Sequence, residues 1–241
     1  MVRNRFRKLR FMGALVLATA GVTAQAQFSP GYGTYGAPMS SFLASSFLAQ
    51  QAANNIMMDS GGKSSSKSKP APVPAQPLTF KESGAPIAPA KMASSYPEAS
   101  RAHAQRMFEN TLAAYHKIEQ KAGLPRNDMG GALATFVAGN YFTWRDQTVP
   151  DDAFKALVSQ MNSSLSRVPA LRSASDAEKQ ELYEQLAITG MFVMLTREGL
   201  QQRADPQHAA QMKQAAKGYL EQFFKVGPER MQIDSRGLVM R

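Results

Sequence analysis

Residues 186–195, Leu-Ala-Ile-Thr-Gly-Met-Phe-Val-Met-Leu, are apolar all round. Residues 129–142 are nearly so, through Leu133, Phe136, Val137 and Tyr141. Both are well short of the ~20 residues that a membrane-crossing helix needs. A helix without a polar face must be covered by neighbours, so the chain needs other amphipathic helices to enclose these two. In the helix over 129–142, Gly130, Ala134 and Ala138 recur every fourth residue, a spacing that lets neighbours approach closely.

The enclosing helices are legible from their stripes and ends. Ala104, Phe108, Leu112, Tyr115 and Ala122 follow a helical period over 97–121, with Pro97 suited to the first turn and Gly123-Leu124-Pro125 as the stop. Asn127 is the expected cap of the next helix, with Asp128 in its first turn. After Pro150, the residues Phe154, Leu157, Val158, Met161 and Leu165 form another stripe. Ser175-Asp176-Ala177-Glu178 is a capping box opening the helix that carries 186–195. Asp205 caps a last helix with Pro206 as its first residue and Met212, Ala216, Tyr219, Phe223 and Phe224 facing inward. Beyond Gly227-Pro228 the tail reads as an extended segment with no evident strand partner. The expected fold class is all-α, a compact bundle of about five helices over residues 96–241.

The N-terminal part reads differently. Arg3, Arg5, Arg7, Lys8 and Arg10 precede a short apolar stretch and then Ala24-Gln25-Ala26, the layout of a secretory signal peptide over residues 1–26, cleaved before Gln27. Residues 27–95 are rich in Gly, Ser and Pro and read as a low-complexity flexible arm dispensable for folding. Within it, residues 41–58 carry Leu48, Ala52 and Ile56 on one face and suggest a short helix. Export implies a periplasmic or extracellular destination, with no permanent membrane span after cleavage.

Half of the net charge of +10 belongs to this leader, which contributes five basic residues and no acid. Residues 97–241 hold 18 basic against 16 acidic residues, too even a balance for nucleic-acid binding. The chain has no cysteine, which excludes disulfides, thiolate metal sites and cysteine nucleophiles.

The run Ser173-Ala174-Ser175-Asp176-Ala177-Glu178-Lys179-Gln180-Glu181-Leu182-Tyr183-Glu184-Gln185-Leu186-Ala187 resembles the central signature of a family of exported bacterial proteins known as domain of unknown function 6683. Gly123-Leu124-Pro125-x-Asn127-Asp128, Ala216-x-Gly218-Tyr219-Leu220-Glu221 and Gly237-Leu238-Val239 fit the same resemblance, which covers roughly residues 95–241 and not the arm. It implies an exported helical domain and brings no activity, ligand or catalytic residue.

No catalytic, metal or cofactor site emerges from the residues. His103, His116 and His208 lack metal-ligand spacing. Met191 and Met194 have a useful spacing for copper but sit in the most apolar stretch, where core packing is the simpler role. Gly61-Gly62-Lys63-Ser64 has Met57 where a phosphate-binding loop needs its first glycine. The carboxylates open to a glycosidase pair are Glu109, Glu119, Asp146, Asp151, Asp152 and Glu198, with no pattern that sets two of them in one cleft. The candidate interaction surface is Asn140, Tyr141, Trp144, Arg145 and Asp146, around the sole tryptophan; its rings and polar neighbours suit a sugar ring or a partner's side chain. The favoured reading is a non-enzymatic exported protein, without cofactor, that binds an envelope protein or glycan. The alternative is a cell-envelope hydrolase acting on a glycan, marked by two facing carboxylates beside Trp144.

Overall fold

The computed structural model describes residues 47–60, 78–202 and 205–241, with the side chains of 47, 48 and 58–60 left aside. The leader, residues 27–46 and the Gly61-Gly62-Lys63-Ser64 run lie outside the described residues. The elements are α1 (Phe47–Ser60), α2 (Ala88–Ser94), α3 (Glu98–Lys121), α4 (Met129–Arg145), α5 (Asp151–Leu165), α6 (Pro169–Ser173), α7 (Asp176–Gln202) and α8 (Pro206–Phe224). A 3-10 turn (Pro228–Arg230) then leads into β1 (Met231–Asp234) and β2 (Gly237–Met240). The fold is all-α with this one small hairpin.

Helix α4 is the axis of the domain. Every residue from Met129 to Thr143 is buried, and α7, α5 and α8 pack along it. The apolar stretch of α7 is enclosed as its lack of a polar face demands: residues 182–194 are buried, Met191 fully and Met194 nearly so. The close approach does not use the Gly130, Ala134, Ala138 row. It falls at Gly139 and Gly190, where α4 and α7 touch backbone to backbone. A Cβ on Gly190 would lie 2.6 Å from Phe136 Cα, and one on Gly139 would lie 2.5 Å from the Gly190 carbonyl oxygen. Only glycine permits such contact.

The helix ends follow their local chemistry with one shift. Ser175 and Glu178 form the reciprocal capping box: the Ser175 amide donates to Glu178 Oε2 at 2.8 Å and the Glu178 amide to Ser175 Oγ at 3.3 Å. Asp205 accepts from the His208 amide at 3.0 Å and caps α8, with Pro206 first in the helix. The cap of α4, however, is Asp128, which accepts from the Gly130 amide at 3.0 Å. Asn127 stands one residue earlier in the left-handed region, φ 61°, and its Nδ2 donates to the Phe80 carbonyl at 3.3 Å. Likewise Pro97 precedes α3 as its cap residue rather than joining its first turn.

Two parts of the low-complexity stretch are built into the core, and the expected boundary near residue 95 falls within packed chain. Ala49, Ala52, Ala53 and Ile56 of α1 are buried, with α1 lying on α5 and α8. Phe80, Met92 and Tyr96 are buried as well. The physical reason lies in α7. Glu184, only 3% exposed, accepts from the amides of Ile87 and Ala88, each at 2.7 Å, and so caps α2 from a distant part of the chain. Gln180 accepts from the Ser83 amide at 2.8 Å and donates to the Ala85 carbonyl at 2.9 Å. Backbone that composition marks as self-unsatisfied is thus satisfied by side chains of the core.

The tail differs from the expected lone extended segment. β1 and β2 pair antiparallel, with Asp234 opposite Gly237 and Met231 opposite Met240. Asp234 Oδ1 accepts from the Arg236 amide at 2.9 Å and tightens the turn. Gln160 of α5 clamps β2, donating to the Leu238 carbonyl at 2.9 Å and accepting from its amide at 2.7 Å.

Candidate functional site

The C-terminal end of α4 carries the surface singled out from the sequence, and the structure divides it. Asn140 is fully buried; its Nδ2 donates to the Phe136 carbonyl at 2.8 Å, while its Oδ1 has no partner. Tyr141 is also buried. Trp144 is half-buried and Arg145 and Asp146 are exposed. The Tyr141 and Trp144 rings meet edge to face with centroids 6.3 Å apart. The Arg145 guanidinium lies 4.2 Å over the indole and its Nη2 donates to the Glu229 carbonyl at 2.9 Å. Asp146 ends the helix in the left-handed region, φ 57°, and forms an ion pair with Arg197. The surface that remains to solvent is therefore Trp144, Arg145 and Asp146, with Asn140 and Tyr141 behind it.

The hairpin completes this end. Between the end of α4, the loop after it and residues 229–233 lies a recess of about 370 Å³. Tyr141, Val149, Met231 and Ile233 line it and are buried; Arg145, Thr148, Glu229, Arg230 and Arg241 line it and are exposed. Arg230 Nε donates to the Arg241 main-chain oxygen at 2.8 Å. Glu229 pairs with Lys217 at 2.6 Å, and Lys217, with Arg145 nearby, holds its carboxyl below the usual carboxylate range. The sequence reading found Arg145 and missed Arg230 and Arg241. Their only local signal is the alternation of Met231 and Ile233 with Gln232, which marks a strand but not its neighbour.

The other end of α4 gathers a second set of polar side chains, enclosed rather than open. Glu119 of α3 is 3% exposed and Asp128 is 0% exposed. The Tyr183 hydroxyl donates to Glu119 Oε1 at 2.9 Å, and the Asp128 amide approaches the same oxygen at 3.4 Å. Asn162 Nδ2 donates to Asp128 Oδ2 at 3.2 Å. A Cβ on Gly130 would strike the Asn162 side chain at 2.4 Å, so glycine there is what admits Asn162. Leu78 closes the set: its amide donates to Asn162 Oδ1 at 3.3 Å and its carbonyl accepts from the Met129 amide at 3.0 Å. The Tyr115 hydroxyl makes no well-formed hydrogen bond; it faces Thr135, whose own hydroxyl donates to the Gly131 carbonyl at 2.9 Å.

Burial dominates the titration of this hub. It pushes the Glu119 carboxyl up to about 7, against the opposing hydrogen bond from Tyr183. Burial raises Asp128, too, although Asn162 and the Gly130 amide favour its charged form. Burial also drives both phenols, Tyr115 and Tyr183, upward. A raised carboxyl next to a second acid resembles catalytic machinery, but these groups are buried and hydrogen-bonded within the hub. The other carboxylates named from the sequence are dispersed. Asp151 and Asp152 open α5. Glu109 accepts from Gln105 at 2.9 Å. Glu198 is half-buried, with its carboxyl raised by burial. His116 stacks on Tyr183 at 6.2 Å, and His208 pairs with Asp205.

Fold and site together define a small helical domain whose central helix has a sealed polar hub at one end and an open cationic recess at the other. Among the described residues no helix is long and apolar enough to cross a membrane. The chain belongs to the family of unknown function DUF6683, whose model matches residues 6–241. That match extends far beyond residues 95–241, to which the sequence resemblance was confined, and takes in the stretch read as an arm. No curated protein and no solved structure matches the chain.

Proposed function

We propose that this is an exported, non-enzymatic protein that binds an envelope partner or ligand at the C-terminal end of α4. The observation that supports this most is the recess itself. It joins the surface carrying the sole tryptophan to the hairpin, and its rim arginines each give one donor to a main-chain oxygen. Export rests on the leader-like residues 1–26. The hydrolase reading needs two reachable, facing carboxylates near Trp144. The recess has one, Glu229, committed to Lys217, and the buried acid pair lies at the other end of α4.

The test is capture from envelope extract with tagged mature protein and with Arg145→Glu. The expected outcome is a partner or glycan retained by the first and lost by the second, with equal melting temperatures. Equal capture by both would exclude this face. N-terminal sequencing of the protein from its host checks export, with Gln27 as the expected first residue.

A further inference from the structure

We infer that the recess takes a small organic anion, whose carboxylate or phosphate is held by the guanidinium groups of Arg145 and Arg230. This rests on the recess being the binding face proposed above and adds the chemistry of what enters it.

Each of the two arginines is already held at one N–H. The Arg145 guanidinium lies over Trp144, 4.2 Å from the ring centre, with one N–H on the Glu229 carbonyl. Arg230 has its Nε–H fixed on the Arg241 main-chain oxygen. One donor spent on main chain leaves most of each five-donor fork for a ligand, and a restrained fork loses less freedom on binding a planar anion. Such pairs are commonly bidentate. Arg241 adds a third guanidinium to the lining.

Glu229, the side-chain carboxylate in the lining, pairs chiefly with Lys217, itself outside the lining, and more weakly with Arg145. Tyr141, Val149, Met231 and Ile233 also line the recess but are buried, so the surface it presents is mostly polar. A mostly polar recess with guanidinium groups in its lining suits a small molecule with an anionic group. The volume, about 370 Å³, falls in the range of small-molecule sites. A long polyanion such as nucleic acid would need a track of charge, which a single recess on a nearly neutral domain does not offer.

Trp144 makes the proposal measurable, since it is the only tryptophan and lies directly under Arg145. Full-length mature protein is titrated with galacturonate, inorganic phosphate and, as the neutral control, galactose, reading indole emission and, in parallel, heat by calorimetry. The expected result is saturable binding of one or both anions, none of galactose, and at least tenfold weaker binding in Arg230→Gln at an unchanged melting temperature. Tighter binding of galacturonate assigns a carboxylate ligand; tighter binding of phosphate assigns a phosphate ligand. Absence of saturable binding by both anions, equal binding of galactose, or undiminished binding by Arg230→Gln would overturn the inference. If the anions fail while Arg145→Glu still abolishes envelope capture, the ligand chemistry is wrong and the face stands. If both fail, the face falls too.

Discussion

The two ends of α4 hold polar residues in opposite circumstances. At the N-terminal end, Glu119, Asp128, Asn162 and Tyr183 are buried and bonded to one another. At the C-terminal end, Arg145 and Arg230 are exposed and line a recess, each with one donor given to main chain. Polar groups that are enclosed and mutually satisfied specify a fold, and their loss leaves partners unsatisfied at about 1–3 kcal/mol each. Groups held in place with unspent donors at an open surface contribute little to folding and are available to a ligand. The contrast is sharper because the sealed end has the more enzyme-like titration, a carboxyl near 7, yet the open end is the better candidate for function. A perturbed pKa marks burial first, and accessibility decides whether it can matter chemically.

The largest effect should come from removing the lid of the sealed end. Truncation to residues 96–241 deletes Leu78 and Phe80 from the hub, strips Ile87 and Ala88 from the Glu184 carboxylate, and uncovers the surface under Ile56 and Met92. The expected outcome is loss of the cooperative melt by circular dichroism. A truncated chain melting like the intact one would restore the flexible-arm reading.

Next is the apolar crossing that joins the two ends. Phe192 of α7 is 3% exposed and packs edge to face on Phe108 at 6.5 Å. Phe192→Ala should cost about 3–5 kcal/mol by urea unfolding, a large share of a stability of about 5–15 kcal/mol. A near-neutral result would mean that this face of α7 is not core.

Smaller, and specific to the hub, is a pH effect. Glu119 has an ordinary value of 4.5 and a folded-state value of about 7. Between these the folded chain keeps a proton that the unfolded chain releases, so stability falls as pH rises through about 4.5 to 7. Asp128 and Glu184, raised by burial, act in the same direction. Asp205, Glu229 and Asp234 are lowered by their partners and act oppositely at acid pH; His116, lowered by burial, also acts oppositely near its ordinary 6.5, one group against three. The melting temperature should therefore drop by several degrees between pH 5 and pH 8, and Glu119→Gln, which can still accept from Tyr183, should flatten that slope. An unchanged slope in the variant would remove Glu119 from the account.

Much of the fold was legible because its signals are local. The stripes on α3, α5 and α8, the Ser175–Glu178 box and the Asp205-Pro206 start are patterns within a few residues, and the structure keeps them. What was missed is held by distant partners. Residues 78–96 look disordered by composition, yet Gln180, Glu184 and Asn162, some eighty or more positions onward, satisfy their backbone. No local pattern announces that. The Gly139–Gly190 contact was hidden for the same reason, since each glycine acquires meaning only opposite the other. The site was half-visible: Trp144 and Arg145 stand out on α4, whereas Arg230 joins them only through its neighbour Glu229, whose carbonyl accepts from Arg145 across 84 residues of chain.

The contrast between the two ends is tested most directly by urea unfolding of Asp128→Ala and Arg145→Ala side by side. Removing Asp128 deprives the Gly130 amide and Asn162 Nδ2 of their acceptor in a sealed site and should cost about 2 kcal/mol or more. Removing Arg145 takes away an exposed side chain and its contact with Trp144 and should cost under about 1 kcal/mol. Equal costs, or a larger one for Arg145, would contradict the assignment of one end of α4 to folding and the other to binding.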